Sequence, residues 1–184
     1  MKPTTSKKRL VHSSRLYLVL DAGVNPYRKL LEILQQSVGH GVDIVQLRDK
    51  KGTARDILAF SRAARQIIRG KIPYLINDRV DLAGLAADGV HLGQEDIPIV
   101  EAREILGASA IIGVSCQTLD ATRCAQAQGA DYIGFGSVFK TLTKPHRRPQ
   151  DSRLLKKVAK ARAGRSTLRG RGRKSWRRFR VSIM

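Results

Sequence analysis

The sequence has few cysteines, no long apolar run and little acid outside its central part. No stretch of about 18 apolar residues occurs, so no membrane-spanning helix is expected. Cys116 and Cys124 lie at no spacing typical of a metal or redox site, and we expect two reduced thiols in a cytoplasmic protein. Residues 1–15 lack the apolar core of a signal peptide, and we interpret them as a flexible basic extension.

The shortage of acid is confined to the two ends of the chain. The formal net charge is +20, yet residues 16–139 hold 13 basic and 14 acidic side chains. Residues 151–184 hold 13 basic side chains against Asp151 alone. The charge therefore carries no information about the core. It predicts non-specific binding of polyanions by a basic tail rich in Arg, Gly and Ser, residues 162–184.

Short apolar strands alternate with segments of helical periodicity from Leu16 onward. We predict strands at 16–20, 42–47, 73–76, 89–92, 110–114 and 130–138. We predict helices at 27–38, 53–69, 80–87, 97–106, 119–128 and 154–161. Nearly continuous apolar strands between amphipathic helices indicate a parallel sheet covered by helices.

The fold class is α/β, and the pattern favours a (β/α)8 barrel of the TIM type. Such a barrel usually needs eight strand-helix units and about 250 residues. Six units are recognisable, and the last two are missing or replaced. An open doubly wound sheet is the alternative, but the Gly-x-Gly-x-x-Gly turn typical of one large class of such folds does not follow the first strand. We expect an incomplete barrel over residues 16–161, followed by a disordered tail.

Two predicted strands are each followed by acidic residues. Asp78 follows the third strand, and Asp96 follows Gly93 after the fourth. The carboxyl ends of parallel strands share one rim, and oxygen ligands of this kind suit Mg²⁺. The alternative is that Asp78 caps a helix beginning near Arg79, and that Glu95 and Asp96 begin the next helix.

The second strand predicts a polar face. Alternation places Gln46, Arg48 and Lys50 on one side and Val45 and Leu47 on the other. If the apolar side meets the helices, the polar side faces the barrel mouth. There Gln46 could hydrogen-bond a heterocycle, and the two cations could hold phosphates. The alternative is a solvated strand end.

Three further features are candidates for binding. Ser115 ends the fifth strand and offers a hydroxyl to a phosphate, or caps the next helix. His91 shares the inward parity of Gly89 and Gly93, and we expect a hydrogen-bonded interior side chain rather than a base. The segment from Thr141 to Lys144, before Pro145, predicts either an anion-binding loop or a polar surface loop.

These motifs together resemble thiamine phosphate synthase. The resemblance runs from about Leu16 to Pro145 and rests on five segments: Gln46 to Lys50, Asn77-Asp78, Gly89 to Asp96, Gly113 to Ser115, and Thr141 to Lys144. Members of that family are (β/α)8 barrels. They join hydroxymethylpyrimidine pyrophosphate to a thiazole phosphate and release pyrophosphate.

The resemblance implies a role for each motif residue. It places the pyrimidine pyrophosphate on Gln46, Leu47, Arg48, Asp49, Lys50, Asn77, Ser115 and Lys144. It places Mg²⁺ on Asp78 and Asp96, and the thiazole phosphate on Thr141 and Thr143. The implied catalytic residues are Arg48, Lys50, Ser115 and Lys144, because Mg²⁺ and cationic side chains neutralise the charge of the departing pyrophosphate.

The chain departs from the family pattern after the sixth strand. Lys140 stands where proline is common, Cys116 where threonine is common, and the late glycine-rich turn that holds the thiazole phosphate is not found. We interpret the tail first as the product of a reading-frame change, second as a functional basic tail, and third as a divergent end of the barrel. We therefore expect a poor synthase. The alternatives are a thiazole tautomerase-like barrel and a non-enzymatic nucleic-acid-binding protein.

Overall fold

The computed structural model describes residues 6–136, 152–161 and 180–183. The strands are β1 (Tyr17–Asp21), β2 (Ile44–Arg48), β3 (Tyr74–Asn77), β4 (Gly89–Leu92), β5 (Ile111–Cys116), β6 (Tyr132–Phe135) and β7 (Arg180–Ile183). The helices are α1 (Ser6–Ser13), α2 (Tyr27–Ser37), α3 (Ala54–Ile68), α4 (Val80–Ala86), α5 (Ile99–Leu106), α6 (Leu119–Ala127) and α7 (Ser152–Ala161). None of the helices in these ranges is long and apolar enough to cross a membrane.

The strands form one parallel sheet in chain order, from β1 to β7. The Tyr17 hydroxyl of β1 lies 2.8 Å from the Tyr132 hydroxyl of β6, which shows that the sheet is curled. Chain-order pairing with this curvature supports a barrel-like sheet rather than an open doubly wound one. The predicted α/β class and the six strands up to residue 136 are confirmed. The (β/α)8 type, with its last two units missing or replaced, stays a prediction.

Side-chain caps fix where two of the helices begin. The Thr53 hydroxyl accepts from the Asp56 backbone N–H at 3.2 Å at the start of α3. The Thr118 hydroxyl accepts from the Ala121 N–H at 3.0 Å at the start of α6. Each bond satisfies one N–H that a helix leaves without an internal partner. The caps position the two helices directly after β2 and β5.

Alternate residues of a strand enter two different apolar clusters. Val45 and Leu47 of β2 pack in the outer cluster with helix residues such as Leu34. Ile44 of β2 packs in an inner cluster with Leu75 and other residues that line the interior of the curled sheet. Both clusters remove apolar surface from water, which is the main favourable term in folding. The sheet is thus buried on both faces, as a helix-covered parallel sheet must be.

Helix α1 differs from the flexible extension predicted for residues 1–15. Val11 is 1% exposed in the inner cluster. Lys7 forms an ion pair with Asp88 at 2.7 Å, and Lys8 forms one with Asp131 at 3.0 Å. Asp88 and Asp131 immediately precede β4 and β6, so α1 covers the amino-terminal ends of the strands. Residues 6–13 are thus a helix held by a buried valine and two ion pairs, and the predicted extension over residues 1–15 stays a prediction.

Strand β7 lies inside the segment predicted to be a disordered tail. Arg180–Ile183 pairs in parallel with Tyr132–Phe135. In these four residues the apolar Val181 and Ile183 alternate with Arg180 and Ser182, as is typical of a strand. Residues 162–179 lie outside the described residues. The predicted domain boundaries and the explanations of the tail stay predictions.

Candidate active site

The site is built where the parallel strands end. Asp21, Arg48 and Asn77 are the last residues of β1, β2 and β3. Asp21 and Arg48 are register partners, and the Arg48 guanidinium donates to the Asp21 carboxylate at 2.7 Å. The carboxyl ends of strands in a parallel α/β sheet are the usual place for a ligand. The predicted common rim is thus present, and Arg48 is held at it by a carboxylate.

Asp78 and Asp96 contact one another at this rim. Asp78 follows β3 directly and has a left-handed backbone with φ of 63°, which is uncommon for a residue with a side chain. Its carboxyl group lies close enough to Asp96 for the two to interact electrostatically, and it forms an ion pair with Lys50. Asp96 also accepts from the Gly93 N–H at 2.6 Å. Burial, together with Asp96, raises the pKa of Asp78, while Lys50 opposes this shift.

The carboxylate pair fits one kind of metal site. The structure, over its described ranges, contains no cluster of three or more His, Cys, Asp or Glu side chains that could hold a metal ion. Mg²⁺ needs fewer protein ligands, since it usually binds one or two carboxylates and completes its shell with water and substrate phosphates. Two crowded carboxylates, one with a raised pKa, favour a cation between them. The pair therefore suits a cation that arrives with a phosphorylated substrate.

The alternative that these acids cap helices is wrong. The residue before α4 is Arg79 and the residue before α5 is Pro98, and neither position has a side-chain cap. The same holds for Ser115, because the α6 cap is Thr118. All three polar side chains are thus left for other contacts at the rim.

Gln46 and Asn77 form a buried amide pair below the rim. Gln46 is fully buried, and its Nε2 donates to Asn77 Oδ1 at 2.8 Å. A buried amide of this kind is costly unless its groups are hydrogen-bonded. Gln46 is on the inward face that the alternation of β2 predicts, and Asn77 of β3 meets it there, so the interior of the site offers amide groups to a ligand.

Two members of the predicted binding set face other parts of the chain. The Leu47 side chain is fully buried in the outer cluster. The Asp49 carboxylate accepts from the N–H groups of Lys51 and Gly52 at 2.9 and 2.7 Å, and from the Tyr27 hydroxyl at 2.5 Å. Burial would raise the pKa of Asp49, but these hydrogen bonds hold it below its ordinary value. The Asp49 side chain therefore shapes the loop that carries Lys50.

Ser115 belongs to an interior polar cluster that sequence reasoning missed. Its hydroxyl lies 3.0 Å from His91 Nε2, and His91 Nδ1 lies 2.8 Å from the Tyr132 hydroxyl. His91 is buried and hydrogen-bonded, as its inward parity predicts. The third member is a phenol rather than the carboxylate of a serine-hydrolase triad, which does not favour a nucleophilic role for Ser115. The only sequence signal for this cluster was the inward parity of His91 on β4.

The remaining site residues cannot be placed. Thr141, Thr143 and Lys144 lie outside the described residues, so their predicted roles stay predictions. Cys116 ends β5, and its burial raises the pKa of its thiol to about 11. A protonated thiol at neutral pH is a poor nucleophile, which agrees with the prediction of a reduced thiol outside any metal or redox site.

Comparison with known proteins identifies the family. The family model described as thiamine monophosphate synthase, TMP-TENI, matches residues 16–164. The chain belongs to this family. The predicted resemblance is thus confirmed, and with it the assignment to a family of transferases.

Two curated relatives show how far the similarity extends. The thiamine-phosphate synthase of Halalkalibacterium halodurans is 42% identical over 132 residues, which cover 71% of this chain and 63% of the relative. That of Clostridioides difficile is 41% identical over 140 residues, which cover 75% of this chain and 67% of the relative. The chain therefore spans slightly less than two thirds of the length of the first relative and about two thirds of the length of the second.

Solved structures agree with the family. A thiamine phosphate pyrophosphorylase from Pyrococcus furiosus is 28% identical, with a TM-score of 0.72 over 95% of this chain and 87% of that chain. An N-acetylmannosamine-6-phosphate 2-epimerase from Clostridium perfringens has a TM-score of 0.62 at 11% identity. The second likeness shows the fold alone, which many functions share.

Proposed function

We propose that this chain binds hydroxymethylpyrimidine pyrophosphate together with Mg²⁺ and joins it to a thiazole phosphate, forming thiamine phosphate. The observation that carries the proposal is the assembly of Asp78, Asp96, Arg48 and Lys50 at one rim, beside the buried Gln46–Asn77 amides. Membership of the thiamine monophosphate synthase family supports the same reaction.

Binding divides between a charged rim and a polar interior. Arg48 offers a planar fork of donors to phosphate oxygens, and Lys50 offers a mobile point charge. Gln46 and Asn77 lie deeper and can hydrogen-bond the edge of a pyrimidine. The pyrophosphate would thus lie at the rim, with the heterocycle directed inward.

The reaction needs charge stabilisation more than acid or base chemistry. The bond between the pyrimidine methylene carbon and the pyrophosphate oxygen breaks, and its electron pair leaves with the pyrophosphate. The thiazole nitrogen then supplies the pair for the new bond to that carbon. Mg²⁺ bound at Asp78 and Asp96 would neutralise charge on the departing group. Arg48 and Lys50 would donate hydrogen bonds to the same oxygens, so no protein nucleophile is required.

The first prediction concerns the carboxylate pair. Replacing Asp78 or Asp96 by Asn removes one anionic ligand and should weaken Mg²⁺-dependent binding of the pyrimidine pyrophosphate about tenfold or more, or ~1.4 kcal/mol. Titration calorimetry with and without Mg²⁺ measures this. Asn at position 78 still tolerates the left-handed backbone.

The matched control is Asp120→Asn, which removes a carboxylate whose side chain is 91% exposed at the start of α6. Its affinity should equal that of the unaltered chain. Equal affinities for all four proteins, or affinity independent of Mg²⁺, would overturn the proposed metal site.

Turnover of both substrates tests the whole reaction. The thiazole phosphate would bind at Thr141 and Thr143, and this placement is part of the proposal. We expect product formation to be slow, as the departures after the sixth strand predict. Turnover on the order of 1 per second or faster would contradict that expectation while supporting the function. The alternatives of a tautomerase-like barrel or a nucleic-acid-binding protein gain no support from the described residues.

A further inference from the structure

The two cationic side chains of the rim are held by carboxylates of different kinds. Arg48 pairs with Asp21 at 2.7 Å, and Asp21 is fixed in turn because it accepts from the Gly23 N–H at 2.8 Å. Asp21 has no part in the proposed metal site, so Arg48 can keep this partner when a cation binds. Lys50, in contrast, forms its ion pair with Asp78, one of the two proposed ligands of Mg²⁺.

The Asp78 carboxylate cannot hold Lys50 and a divalent cation equally well. It is in contact with the Lys50 ammonium and lies close enough to Asp96 to interact with it electrostatically. A divalent cation held by both acids would therefore lie next to the Lys50 ammonium. Like charges at such short range repel one another, even where water screens them. The Lys50–Asp78 ion pair and a cation between the two acids are thus alternatives.

Lys50 can change its partner by a movement of its side chain alone. The backbone of its loop is tied by Asp49, which accepts from the N–H groups of Lys51 and Gly52 at 2.9 and 2.7 Å. The Lys50 side chain is 52% exposed, and a lysine carries its charge on a flexible four-carbon stem. It can therefore leave Asp78 without disturbing any packed part of the protein.

We propose that Lys50 competes with Mg²⁺ for Asp78 and moves to the pyrophosphate when the cation is bound. This inference deepens the proposed function and rests on its metal site. Lys50 then opposes binding of the metal alone and favours binding of the metal with pyrophosphate. Arg48, which stays on Asp21, is a fixed contact for the same phosphates. The site thereby selects the metal–pyrophosphate complex over the free cation.

The first measurement is binding of a metal alone to the full chain and to Lys50→Gln. Mn²⁺ is the probe, because carboxylate sites that suit Mg²⁺ also suit Mn²⁺, and the electron paramagnetic resonance signal of free Mn²⁺ gives the unbound fraction. Lys50→Gln should bind Mn²⁺ about two- to fivefold more tightly, which is the range expected from removing a competing exposed ion pair.

The second measurement is binding of the complex of Mg²⁺ with inorganic pyrophosphate, by titration calorimetry. Here Lys50→Gln should bind about tenfold more weakly, because a hydrogen bond between two charged groups is lost. The same substitution is thus expected to act in opposite directions on the two ligands. A variant that failed to fold would lose both kinds of binding, so opposite effects cannot come from unfolding.

Lys51→Gln is the matched control for charge. Lys51 is the next residue of the loop and is exposed, and its backbone N–H, not its side chain, donates to Asp49. The substitution removes the same charge from the same loop but leaves the Lys50–Asp78 ion pair in place. Both affinities should change less than twofold. An equal tightening of Mn²⁺ binding in Lys51→Gln would overturn the proposal, since the effect would then be one of general charge.

Asp78→Asn separates this proposal from the proposed function. If Asp78→Asn weakens Mn²⁺ binding while Lys50→Gln leaves it unchanged or also weakens it, the competition is overturned and the metal site remains. If Asp78→Asn has no effect on Mn²⁺ binding, the metal site itself is overturned and the competition with it. Tighter Mn²⁺ binding in Lys50→Gln, together with weaker binding in Asp78→Asn, is the result that supports both.

Discussion

Asp49 is the side chain that organises the loop after β2. It accepts hydrogen bonds from Lys51, Gly52 and Tyr27, and Tyr27 packs on Phe60 of α3 with ring centroids 4.9 Å apart. The loop between Arg48 and α3 is thereby tied to both neighbouring helices. Lys50 projects from a loop of fixed shape, which reduces the conformational entropy lost when it binds an anion.

Replacing Asp49 by Asn should destabilise the fold in a pH-dependent way. Hydrogen bonds hold the pKa of Asp49 below its unfolded value, so its contribution is present above the unfolded pKa, about 4. That contribution is lost as pH falls through the folded pKa. We expect a loss of about 1–2 kcal/mol at pH 7, as for hydrogen bonds to a charged group, and a shrinking difference below about pH 4.

Urea unfolding of the two proteins at pH 7 and at acid pH measures this effect. Asp120→Asn serves as the control because its carboxylate is exposed, and it should change the free energy of unfolding little at either pH. A loss from Asp49→Asn of the same size at both pH values would show that the charge is not responsible.

The rim was predictable from the sequence, but the interior was not. The period of two in β2 correctly predicted inward Gln46 and Arg48, because pleat alternation is local. The placement of Asp78 and Asp96 followed from their positions after neighbouring strands. The contact between Tyr17 and Tyr132 depends on how far the whole sheet curls, which no local pattern specifies. Asp49 was assigned to ligand binding by the family resemblance alone, and only the loop geometry shows that its side chain contacts the chain itself.

Helix α1 covers the amino-terminal ends of the strands. Its one buried apolar side chain, Val11, completes the inner cluster beneath Tyr132. Its lysines pair with acids that also accept from strand backbones: Asp88 accepts from the Tyr74 N–H and Asp131 from the Ile112 N–H, both at 2.9 Å. The helix thus closes the end of the sheet opposite the candidate site.

Val11→Ala should destabilise the protein by about 2 kcal/mol, since it leaves a cavity in a cluster that has few members. The neighbouring Leu10→Ala is a matched control on the same helix, because Leu10 is 37% exposed and its loss should cost less than ~0.5 kcal/mol. Thermal unfolding of both variants decides between a docked helix and a loose extension. Equal and small effects would favour the extension predicted from the sequence.

At the scale of the whole molecule, the excess of positive charge lies outside the central part of the chain, residues 16–139. The central part is close to neutral, and the 13 basic residues after position 150 face one acid. Basic residues of this density bind polyanions chiefly by releasing counterions from phosphates. The candidate active site and the basic segment are therefore expected to act independently.

We expect the full chain to bind duplex DNA without sequence preference and with steep salt dependence. Glutamine at four tail arginines should lower the slope of log K against log salt by up to about 4, measured by fluorescence anisotropy. The substituted residues are Arg165, Arg169, Arg171 and Arg173. The control changes four basic residues of the central part, Arg28, Lys29, Arg79 and Arg123. An equal loss in both variants would show that the tail is not the binding segment.

The Tyr17–Tyr132 hydrogen bond also has a consequence for the order in which the protein is made. Its two partners are 115 residues apart in sequence. At a synthesis rate of roughly 5–20 residues per second, Tyr132 leaves the ribosome about 6–23 seconds after Tyr17. During that interval the first strands can pair through their backbones, and Gln46 can form its hydrogen bond to Asn77. Tyr17, however, gains its hydrogen bond to Tyr132 only after β6 has been synthesised. The interior of the sheet is therefore completed late in translation.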